Sequence, residues 1–583
     1  MSLPESVLKR AAEWTESPYD EKCRNEIKGL IKNKNEKELN ERFAVELEFG
    51  TGGLRGLIRN GTNGMNKYVV SRATQGLANY VKKSGEADPK AVIAYDSRLY
   101  SKEFAMDSAS VLAANGIKTY LFSEMRPTPE LSFAVRELGC VTGIVITASH
   151  NPKEYNGYKV YWKDGGQIIS PHDENIISEV RKVESLEAVK SENFESLVSK
   201  GMICWIDKEI DEKFIKEVVS LSISPEEITK SSVKIVYTPL HGTGGTLIPD
   251  VLSRMGFKDI IYVDEQMKAD PAFSTVRKPN PEERDALDLA IKYAVRNEAD
   301  IVIATDPDAD RMGIAVRNDK GEFDVLSGNH IGAILEYYIL SCRREKGILP
   351  SNGAVVKTVV TTDLQDKIAE SFSLKVFNVL TGFKYIGEKI KFFEDNNGNY
   401  KYVFGGEESY GYLAGIYARD KDAVAATLLI SECCAYLKNR GITITDYLDS
   451  IFNEYGYYND KNISIDAEGL KGVEVIGDVM KKFRDKSPEE IGGLKVVKVI
   501  DYVNDTIFDS NDEVTPLPKS NVLQYKLTDG STVTVRPSGT EPKIKFYFSA
   551  KSGSAEETGM KLDKMIADLI PGVKSFIEMR IKG

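Results

Sequence analysis

The segment VTGIVITASHNP, residues 141–152, is an apolar run that ends in a serine, a histidine and a proline. An apolar run bounded by turn residues predicts a buried strand. Upstream, AVIAYDSR (91–98) and IKTYLFS (117–123) predict two more strands, and SKEFAMDSASVLAANG (101–116) and PTPELSFAVRELG (127–139) predict the helices between them. This βαβαβ alternation is typical of an α/β domain with a mainly parallel sheet.

The same alternation recurs twice downstream. A second unit runs from KIVYTPLHGTGG (234–245) to ADIVIATDPDADR (299–311), and a third contains GAVVKTVVTT (353–362) and YVFGGEESYGY (402–412). Each unit ends a strand in a polar loop. After about residue 455 the pattern changes to alternating strands around the hairpin signal Asp529-Gly530, followed by a helix predicted from about Ser554 to Leu569.

We therefore predict an α/β protein of four domains: three related α/β mixed-sheet domains and a C-terminal α+β domain. The predicted boundaries are 1–205, 206–324, 325–455 and 456–583. Four domains also agree with the length of 583 residues, which is several times the usual domain size.

Composition excludes some classes of partner. The net charge is −11, from 77 Lys and Arg against 88 Asp and Glu, so the chain has no general attraction for nucleic acid or anionic membranes. We find no run of about 18 apolar residues, and the N-terminal MSLPESVLKRAAEW reads as an amphipathic helix rather than a signal peptide. The six cysteines have no CxxC spacing. A cytoplasmic protein with reduced thiols, without nucleic-acid or membrane partners, is therefore expected.

The first strand-end loop carries Ser149 beside His150. In open α/β sheets ligands bind beyond the carboxyl ends of the strands, which makes such loops candidate sites. A helix N-cap serine is an alternative interpretation of Ser149. A Ser-His-Asp hydrolase is poorly supported, because no G-x-S-x-G elbow surrounds the serine.

The second loop, Asp306-Pro307-Asp308-Ala309-Asp310-Arg311, places three carboxylates at alternating positions after an apolar strand. Such spacing on an extended segment can turn several oxygens toward one hard cation such as Mg²⁺. An EF-hand is excluded by Arg311 and Arg317, which stand where a glycine and a glutamate are required. A solvated acidic turn is the alternative, but it leaves three carboxylates that repel one another.

Two further loops carry polar side chains between glycines. In GGEESYG (405–411) a carboxylate and a hydroxyl two residues apart can bond neighbouring sugar hydroxyls. In RPSGTEP (536–542) a guanidinium, two hydroxyls and a glycine-freed backbone supply the donors that a phosphate needs. Ordinary turns are the alternatives for both. A glycine cluster with one arginine, FGTGGLRG (49–56), is not a P-loop.

Together these loops suggest phosphoryl transfer on a sugar phosphate. TASHNP, DPDADR, GEES and RPSGTEP, in this order, resemble the α-D-phosphohexomutase superfamily over nearly the whole chain. FGTGGLRG, KVYWKDGGQIISPHD, KPNPEE and LTGFKYIG resemble the branch that holds bacterial phosphoglucomutases and animal phosphopentomutase-type enzymes. The resemblance implies four domains around a central cleft, which carry in order a phosphoserine loop, a metal-binding loop, a sugar-binding loop and a phosphate-binding loop.

The resemblance also implies roles for individual residues. Ser149 would be the phosphoserine that donates and recovers the phosphoryl group, and one Mg²⁺ per chain would be held by Ser149, Asp306, Asp308 and Asp310. The distal phosphate clamp would be Arg536, Ser538, Gly539 and Thr540, and the sugar readers Glu407 and Ser409. Cations near the transferring group would be Arg55, Lys159 and Arg311, with Lys357 and Lys384 as weaker matches.

The general acid and base remain open between three residues. Some family members carry a histidine two residues after the GExS serine, where this chain has Gly411. Lys159, His150 or Lys384 would serve instead. Retention of Ser409 favours a hexose over a pentose, so glucose phosphate is the expected substrate, with glucose 1,6-bisphosphate as intermediate and activator. Phosphomannomutase and phosphopentomutase activities are the alternatives.

Two alternative interpretations do not involve mutase activity. A phosphatase with an aspartate nucleophile would use Asp306-x-Asp308, but Asp310 stands where such enzymes usually have Thr or Val, and TASHNP would be unexplained. A catalytically silent sugar-phosphate sensor should have lost the serine or a carboxylate, and all four are present. The expected partners are therefore small-molecule sugar phosphates, and the expected assembly is a monomer or homodimer.

Overall fold

The structure is a computed structural model that describes residues 3–50, 52–318, 320–396, 398–467, 471–510, 515–538 and 542–582. The chain forms two compact units. The first unit contains residues 1–325 and 411–435, and the second unit contains residues 326–410 and 436–583. The predicted boundaries between four domains stay predictions.

Three short helices begin the first unit: α1 Glu5–Glu13, α2 Glu21–Lys32 and α3 Glu36–Phe43. They bury Trp14 and Phe43 in a small apolar core, which confirms the amphipathic helix expected at the N-terminus.

The first sheet is the predicted βαβαβ unit extended on both sides. The strand order is β1-β5-β4-β2-β3-β6. In this order β4, β2, β3 and β6 are parallel to one another. Strand β5 is antiparallel to both of its neighbours, β1 and β4. Its strands are β1 Gly53–Leu57, β2 Lys90–Tyr95, β3 Lys118–Phe122, β4 Thr142–Ile146, β5 Tyr155–Trp162 and β6 Ile203–Ile206. Its helices are α4 Lys67–Lys83, α5 Ser101–Ala114, α6 Thr128–Glu137, α7 His172–Arg181 and α8 Phe194–Ser199, with a 3₁₀ turn at Leu186–Ala188.

The second sheet completes the first unit and is also mixed. Its order is β11-β10-β9-β7-β8, with β7, β8 and β9 parallel. The strands are β7 Lys234–Thr238, β8 Asp259–Tyr262, β9 Ile301–Thr305, β10 Met312–Arg317 and β11 Phe323–Val325. The helices are α9 Lys208–Ser220, α10 Pro225–Lys230, α11 Gly244–Met255, α12 Asp264–Met267 and α13 Arg284–Asn297.

The second unit starts with three parallel strands in the order β13-β12-β14. The elements are β12 Gly353–Thr358, β13 Lys375–Val379 and β14 Lys401–Glu407, with helices α14 Gly328–Glu345, α15 Leu364–Ser371 and α16 Phe383–Asp395. The short strand β15 Gly411–Leu413 belongs to the first unit, as does the start of helix α17 Ala423–Lys438. Helix α18 Ile444–Tyr455 follows.

The C-terminal sheet has the order β16-β21-β20-β19-β18-β17 and is antiparallel. Its elements are β16 Tyr457–Asp466, β17 Glu490–Ile491, β18 Leu494–Asp501, β19 Leu523–Leu527, β20 Thr532–Pro537 and β21 Lys543–Ser552, with helices α19 Gly472–Asp485 and α20 Ala555–Lys582. The predicted hairpin at Asp529-Gly530 is confirmed between β19 and β20.

Helix α20 runs beyond the end predicted near Leu569. It continues through Pro571 to Lys582, although a proline in a helix interior is unfavourable. Burial of Val573 and Ile577 in the C-terminal core offsets that cost. Within the described residues, no helix is both long and apolar enough to cross a membrane. None of the six cysteines forms a disulfide, and five of them are buried.

Candidate active site

Ser149 lies in the turn directly after β4 and is almost completely buried, with 3% of its surface exposed. Its φ is +50°, a left-handed conformation that is uncommon for residues other than glycine and must be stabilised by neighbours. The Ser149 backbone amide donates to Thr147 Oγ1 at 2.8 Å, and the Thr147 hydroxyl donates to Asp96 Oδ2 at 2.6 Å. The Ser149 hydroxyl donates to Asp306 Oδ2 at 2.6 Å.

A buried ion pair, which the sequence analysis missed, supports this turn. Arg98 lies 3.3 Å from Asp96, and neither side chain is exposed. The Arg98 guanidinium donates to the backbone carbonyls of Ser149, Asn151, Pro152 and Tyr155. Burial lowers the pKa of Arg98 and raises that of Asp96, and each charge opposes the shift of the other. The signal in the sequence was the pair of charges in DSR directly after an apolar strand.

The carboxylates of Asp306, Asp308 and Asp310 follow β9 and converge, as their alternating positions predict. One oxygen from each lies within 4.8 Å of the others, and all three residues are buried. Burial, followed by the charges of Asp308 and Asp310, raises the pKa of Asp306 well above its usual value. Such mutual repulsion is the cost that a bound cation removes.

The donors around these carboxylates leave particular oxygens without hydrogen-bond partners, although Arg311 Nε lies 3.9 Å from Asp310 Oδ1. Asp306 Oδ1 accepts from the backbone amides of Asp310 at 3.1 Å and Arg311 at 3.0 Å. By contrast, Asp308 Oδ1 and Asp310 Oδ1 are buried and have no hydrogen-bond partner among the described residues. Unpartnered carboxylate oxygens in a buried cluster match what a hard divalent cation requires, so the residues fit a metal ion.

Three helix starts fix the backbone of this metal loop, residues 306–310. The carbonyls of Pro307, Asp308 and Ala309 accept hydrogen bonds from the backbone amides of Thr243, Thr128 and Ala423, at the beginnings of α11, α6 and α17. Gly242 makes this approach possible, because a Cβ there would lie 2.4 Å from the Pro307 Cα. This contact explains the first glycine of PLHGTGG.

Two lysines offset part of the negative charge of the cluster. Lys159 on β5 donates to Asp308 Oδ2 at 2.7 Å and to Asp310 Oδ2 at 3.1 Å. Lys421, in the loop before α17, lies 3.1 Å from Asp310 Oδ2. Burial alone would lower the pKa of Lys159, but Asp308 and Asp310 outweigh it and raise that pKa. Sequence reasoning missed Lys421, although the charged run RDKD directly before an apolar helix was a signal.

The other predicted residues of the first unit lie around this cluster. His150 Nδ1 is 3.2 Å from Ser149 Oγ, and burial, then the charges of Arg311 and Arg55, lower the His150 pKa well below its usual value. Arg311 donates to Glu282 at 2.5 Å, within the KPNPEE segment. Arg55 lies on β1 opposite Gly157 of β5 and is exposed.

The sugar and phosphate motifs lie in the second unit. Glu407 ends β14 and accepts from the Gly382 amide at 2.9 Å. Burial and then the charge of Glu407 raise the pKa of Glu408 to about 7, while Lys545 and Arg536 act in the opposite direction. The structure therefore brings the GEES loop close enough to Arg536 for their charges to interact. Arg536 contacts the Tyr547 hydroxyl at 3.4 Å.

Ser409 follows Glu408, and Lys384 is the second residue of α16. Ser538 directly follows β20, and its amide donates to the Lys543 carbonyl. Gly539 and Thr540, predicted for the phosphate clamp, lie outside the described residues. Lys357 is placed differently from the other predicted binding residues. It is buried on β12, 2.8 Å from Asp366 and 3.6 Å from Asp363, so its ammonium is already neutralised by protein carboxylates.

The phosphoglucomutase/phosphomannomutase family matches the chain in four successive parts. Its α/β/α domains I, II and III match residues 46–187, 212–321 and 327–455, and its C-terminal domain matches residues 477–568. Each part contains most of the strands of one of the four sheets, while β6, β11 and β16 lie just outside the matched residues. The four-domain α/β fold predicted from the sequence is therefore confirmed.

Curated relatives support the same family assignment. A phosphoglucomutase of Staphylococcus haemolyticus is 39% identical over 525 residues, which is 89% of this chain and 93% of the relative. A phosphoglucomutase of Staphylococcus aureus strain USA300 is 37% identical over 546 residues, which is 93% of this chain and 96% of the relative.

Solved structures share the fold. The open form of the Paramecium phosphoglucomutase parafusin has a TM-score of 0.66 at 18% identity and covers 92% of this chain and 95% of its own. A phosphoglucomutase/phosphomannomutase family protein of Burkholderia thailandensis has a TM-score of 0.65 at 18% identity, with 91% and 97% covered. The matched domains, the length and identity of the sequence matches and the convergent metal loop together show that the chain belongs to the phosphoglucomutase/phosphomannomutase family.

Proposed function

We propose that the chain is a phosphoglucomutase that interconverts α-D-glucose 1-phosphate and glucose 6-phosphate through a phosphorylated Ser149 and a glucose 1,6-bisphosphate intermediate. Its family and its relatives make it an enzyme of the phosphotransferase and isomerase kind. The observation that carries the proposal is the contact of 2.6 Å between Ser149 Oγ and Asp306 Oδ2, in a buried cluster of three carboxylates and two lysines.

The first transfer moves a phosphoryl group from Ser149 to the bound sugar phosphate. The bond between phosphorus and Ser149 Oγ breaks, a bond between phosphorus and a sugar hydroxyl oxygen forms, and the hydroxyl proton ends on Ser149 Oγ. The bisphosphate then reorients, and the second transfer returns the other phosphoryl group to Ser149 while the proton moves back to the sugar oxygen. A site that works in both directions must hold either end of the sugar.

His150 is the residue that we assign to this proton. Its Nδ1 lies 3.2 Å from Ser149 Oγ, within reach for proton transfer. Its lowered pKa keeps the imidazole neutral near pH 7 and makes it a weak base, so we assign it to relay the proton rather than to retain it. Lys159, whose pKa is raised, remains a cation that stabilises negative charge.

The metal loop would hold the cation of the proposed reaction. Asp306, Asp308 and Asp310 would bind one Mg²⁺ per chain together with the phosphorylated Ser149. When bound, a divalent cation stabilises the charge on the phosphoryl oxygens during transfer. The chain's own contribution is to fix three carboxylates in a buried site whose unpartnered oxygens are ready for the ion.

Substrate recognition is assigned to the second unit, with Arg55 and Arg311 of the first unit as further cations. Arg536, Ser538, Gly539 and Thr540 would bind the distal phosphate, while Glu407 and Ser409 would bind sugar hydroxyls. Lys384 is a candidate for the same region. We also propose glucose 1,6-bisphosphate as the activator and the cytoplasm as the location. A monomer or homodimer is the expected assembly.

The test compares initial mutase rates on glucose 1-phosphate, mannose 1-phosphate and ribose 1-phosphate, with Mg²⁺ and a catalytic amount of glucose 1,6-bisphosphate. A clear preference for glucose 1-phosphate supports the proposal, as do the phosphoglucomutases at 37–39% identity. A preference for ribose would keep the phosphoserine chemistry but overturn the use of Ser409 to assign a hexose.

A further inference from the structure

Thr128, at the start of α6, contacts the metal loop in two ways. Its backbone amide donates to the Asp308 carbonyl at 2.9 Å, and its hydroxyl donates to Asp308 Oδ2, also at 2.9 Å. The side chain is fully buried. Thr128 is the first residue of α6 and Pro127 is the N-cap, so the Thr128 hydroxyl is not a capping group. The hydroxyl instead donates its hydrogen bond to the Asp308 carboxylate.

The contact decides which oxygen of Asp308 is available to a cation. Asp308 Oδ2 already accepts from Lys159 at 2.7 Å, so Thr128 gives this oxygen its second donor. Asp308 Oδ1 is left buried and without a hydrogen-bond partner among the described residues. An oxygen with two donors is a poorer metal ligand than an unpartnered oxygen of the same carboxylate, because its lone pairs are already engaged.

We propose that Thr128 is a positioning residue for the divalent cation: its amide and hydroxyl hold Asp308 so that Oδ1 is the oxygen offered to the ion. The inference rests on the metal site of the proposed function but not on the identity of the sugar. It also connects two parts of the active site, because α6 packs on the sheet that carries Ser149, while Asp308 follows a strand of the second sheet.

Thr243 supplies a matched control. It is the N-cap of α11, and its backbone amide donates to the Pro307 carbonyl at 2.8 Å. Its hydroxyl, however, is buried and has no hydrogen-bond partner among the described residues. Threonine to valine preserves shape and backbone at both positions, so only the change at Thr128 removes a contact with a metal-binding carboxylate.

The experiment measures Mn²⁺ and Mg²⁺ binding to the metal-stripped full chain by isothermal titration calorimetry. We expect Thr128→Val to raise the Kd for each ion by about tenfold, and Thr128→Ser, which keeps the hydroxyl, and Thr243→Val to stay within about twofold of wild type. At saturating Mg²⁺ the KM for glucose 1-phosphate should be unchanged in Thr128→Val, because Thr128 makes no proposed contact with the sugar.

Wild-type metal affinity in Thr128→Val, or an equal loss in Thr243→Val, would overturn the proposal. If Thr128→Val fails to fold, Thr128→Ala is used in its place. Its Kd for each ion is then compared with the Kd of Thr128→Ser, and the same difference of about tenfold is expected. The proposed function is tested separately, by the mutase activity of the wild-type chain. If that activity is absent, calorimetry still measures the effect of Thr128 on metal binding.

Discussion

Ser149 Oγ donates a 2.6 Å hydrogen bond to Asp306 Oδ2, although the two residues are 157 positions apart in the chain. One follows a strand of the first sheet and the other a strand of the second. The contact places the proposed nucleophile on the proposed metal site before any substrate arrives. Such preorganisation is what phosphoryl transfer needs, since its catalysis is mainly positioning and charge stabilisation.

Ser149→Ala should abolish mutase turnover, with a loss of at least about 10³-fold, because no other hydroxyl replaces Ser149 as the carrier of the phosphoryl group. Glucose 1-phosphate should still bind, since the substitution does not change the proposed phosphate clamp. Coupled-assay rates and calorimetric binding measure the two effects. The exposed Ser199→Ala serves as control, and turnover near the wild-type rate in Ser149→Ala would disprove the phosphoserine mechanism.

Asp310→Asn should weaken divalent-cation binding by about tenfold or more, because it removes one of three negative ligands while Lys159 and Lys421 remain. In the wild type, a chelator should abolish activity and added Mg²⁺ should restore it. Titration of the apoprotein with Mn²⁺ checks the first effect. The exposed Asp324→Asn is the control, and unchanged affinity in Asp310→Asn would remove this carboxylate from the metal site.

Arg536→Lys should raise the KM for glucose 1-phosphate about tenfold with a smaller change in kcat, because a point charge does not reproduce the two-pronged guanidinium. Steady-state kinetics at saturating Mg²⁺ measures both constants. The surface variant Arg580→Lys provides the comparison. A KM equal to that of the wild type would exclude Arg536 from the clamp.

Asp96→Asn should lower the free energy of unfolding by about 3 kcal/mol, because it leaves the Arg98 charge buried without its carboxylate partner. The midpoint of urea unfolding, followed by near-ultraviolet circular dichroism, measures the loss. The comparison is Glu86→Gln, which removes one partner of the exposed pair with Lys163 and should leave the midpoint unchanged. Equal midpoints for Asp96→Asn and wild type would contradict the proposed support of the Ser149 turn.

The raised pKa of Asp422 predicts that the free energy of unfolding depends on pH. Burial raises its pKa from 3.8 to about 6, while it accepts from the amides of Val424 and Ala425 at the start of α17. A carboxyl whose pKa is raised by folding contributes stability below its unfolded pKa and loses that contribution as pH rises through the folded value. The loss between pH 4 and pH 7 is about 3 kcal/mol.

Asp422→Asn keeps the acceptor oxygen of the cap but does not titrate. Relative to wild type, the variant should therefore gain stability as the pH is raised from 4 to 7. Thermal unfolding midpoints across this range measure the difference. A difference that stays constant with pH would show that the carboxyl has the same pKa in the folded and unfolded chains.

The sequence by itself determined the local structure and the reactive loops. Apolar runs separated by helical patterns predicted β2 to β4 and the helices between them, because strand and helix periodicity are properties of neighbouring residues. The alternating Asp306, Asp308 and Asp310 lie within one short segment, so the sequence could predict that they converge on one cation. The family motifs then supplied expected roles for Ser149 and Arg536.

Only the tertiary structure decided which distant residues complete the site. Lys421, Asp96 and Thr128 are ordinary residues in their own segments, and each becomes significant through a partner far along the chain or across a turn. Lys357 carried a family-like motif, yet folding places it against Asp363 and Asp366. The physical reason is that hydrogen bonds and ion pairs depend on distances of a few ångströms between side chains, and for residues distant in sequence the packing of whole elements sets those distances.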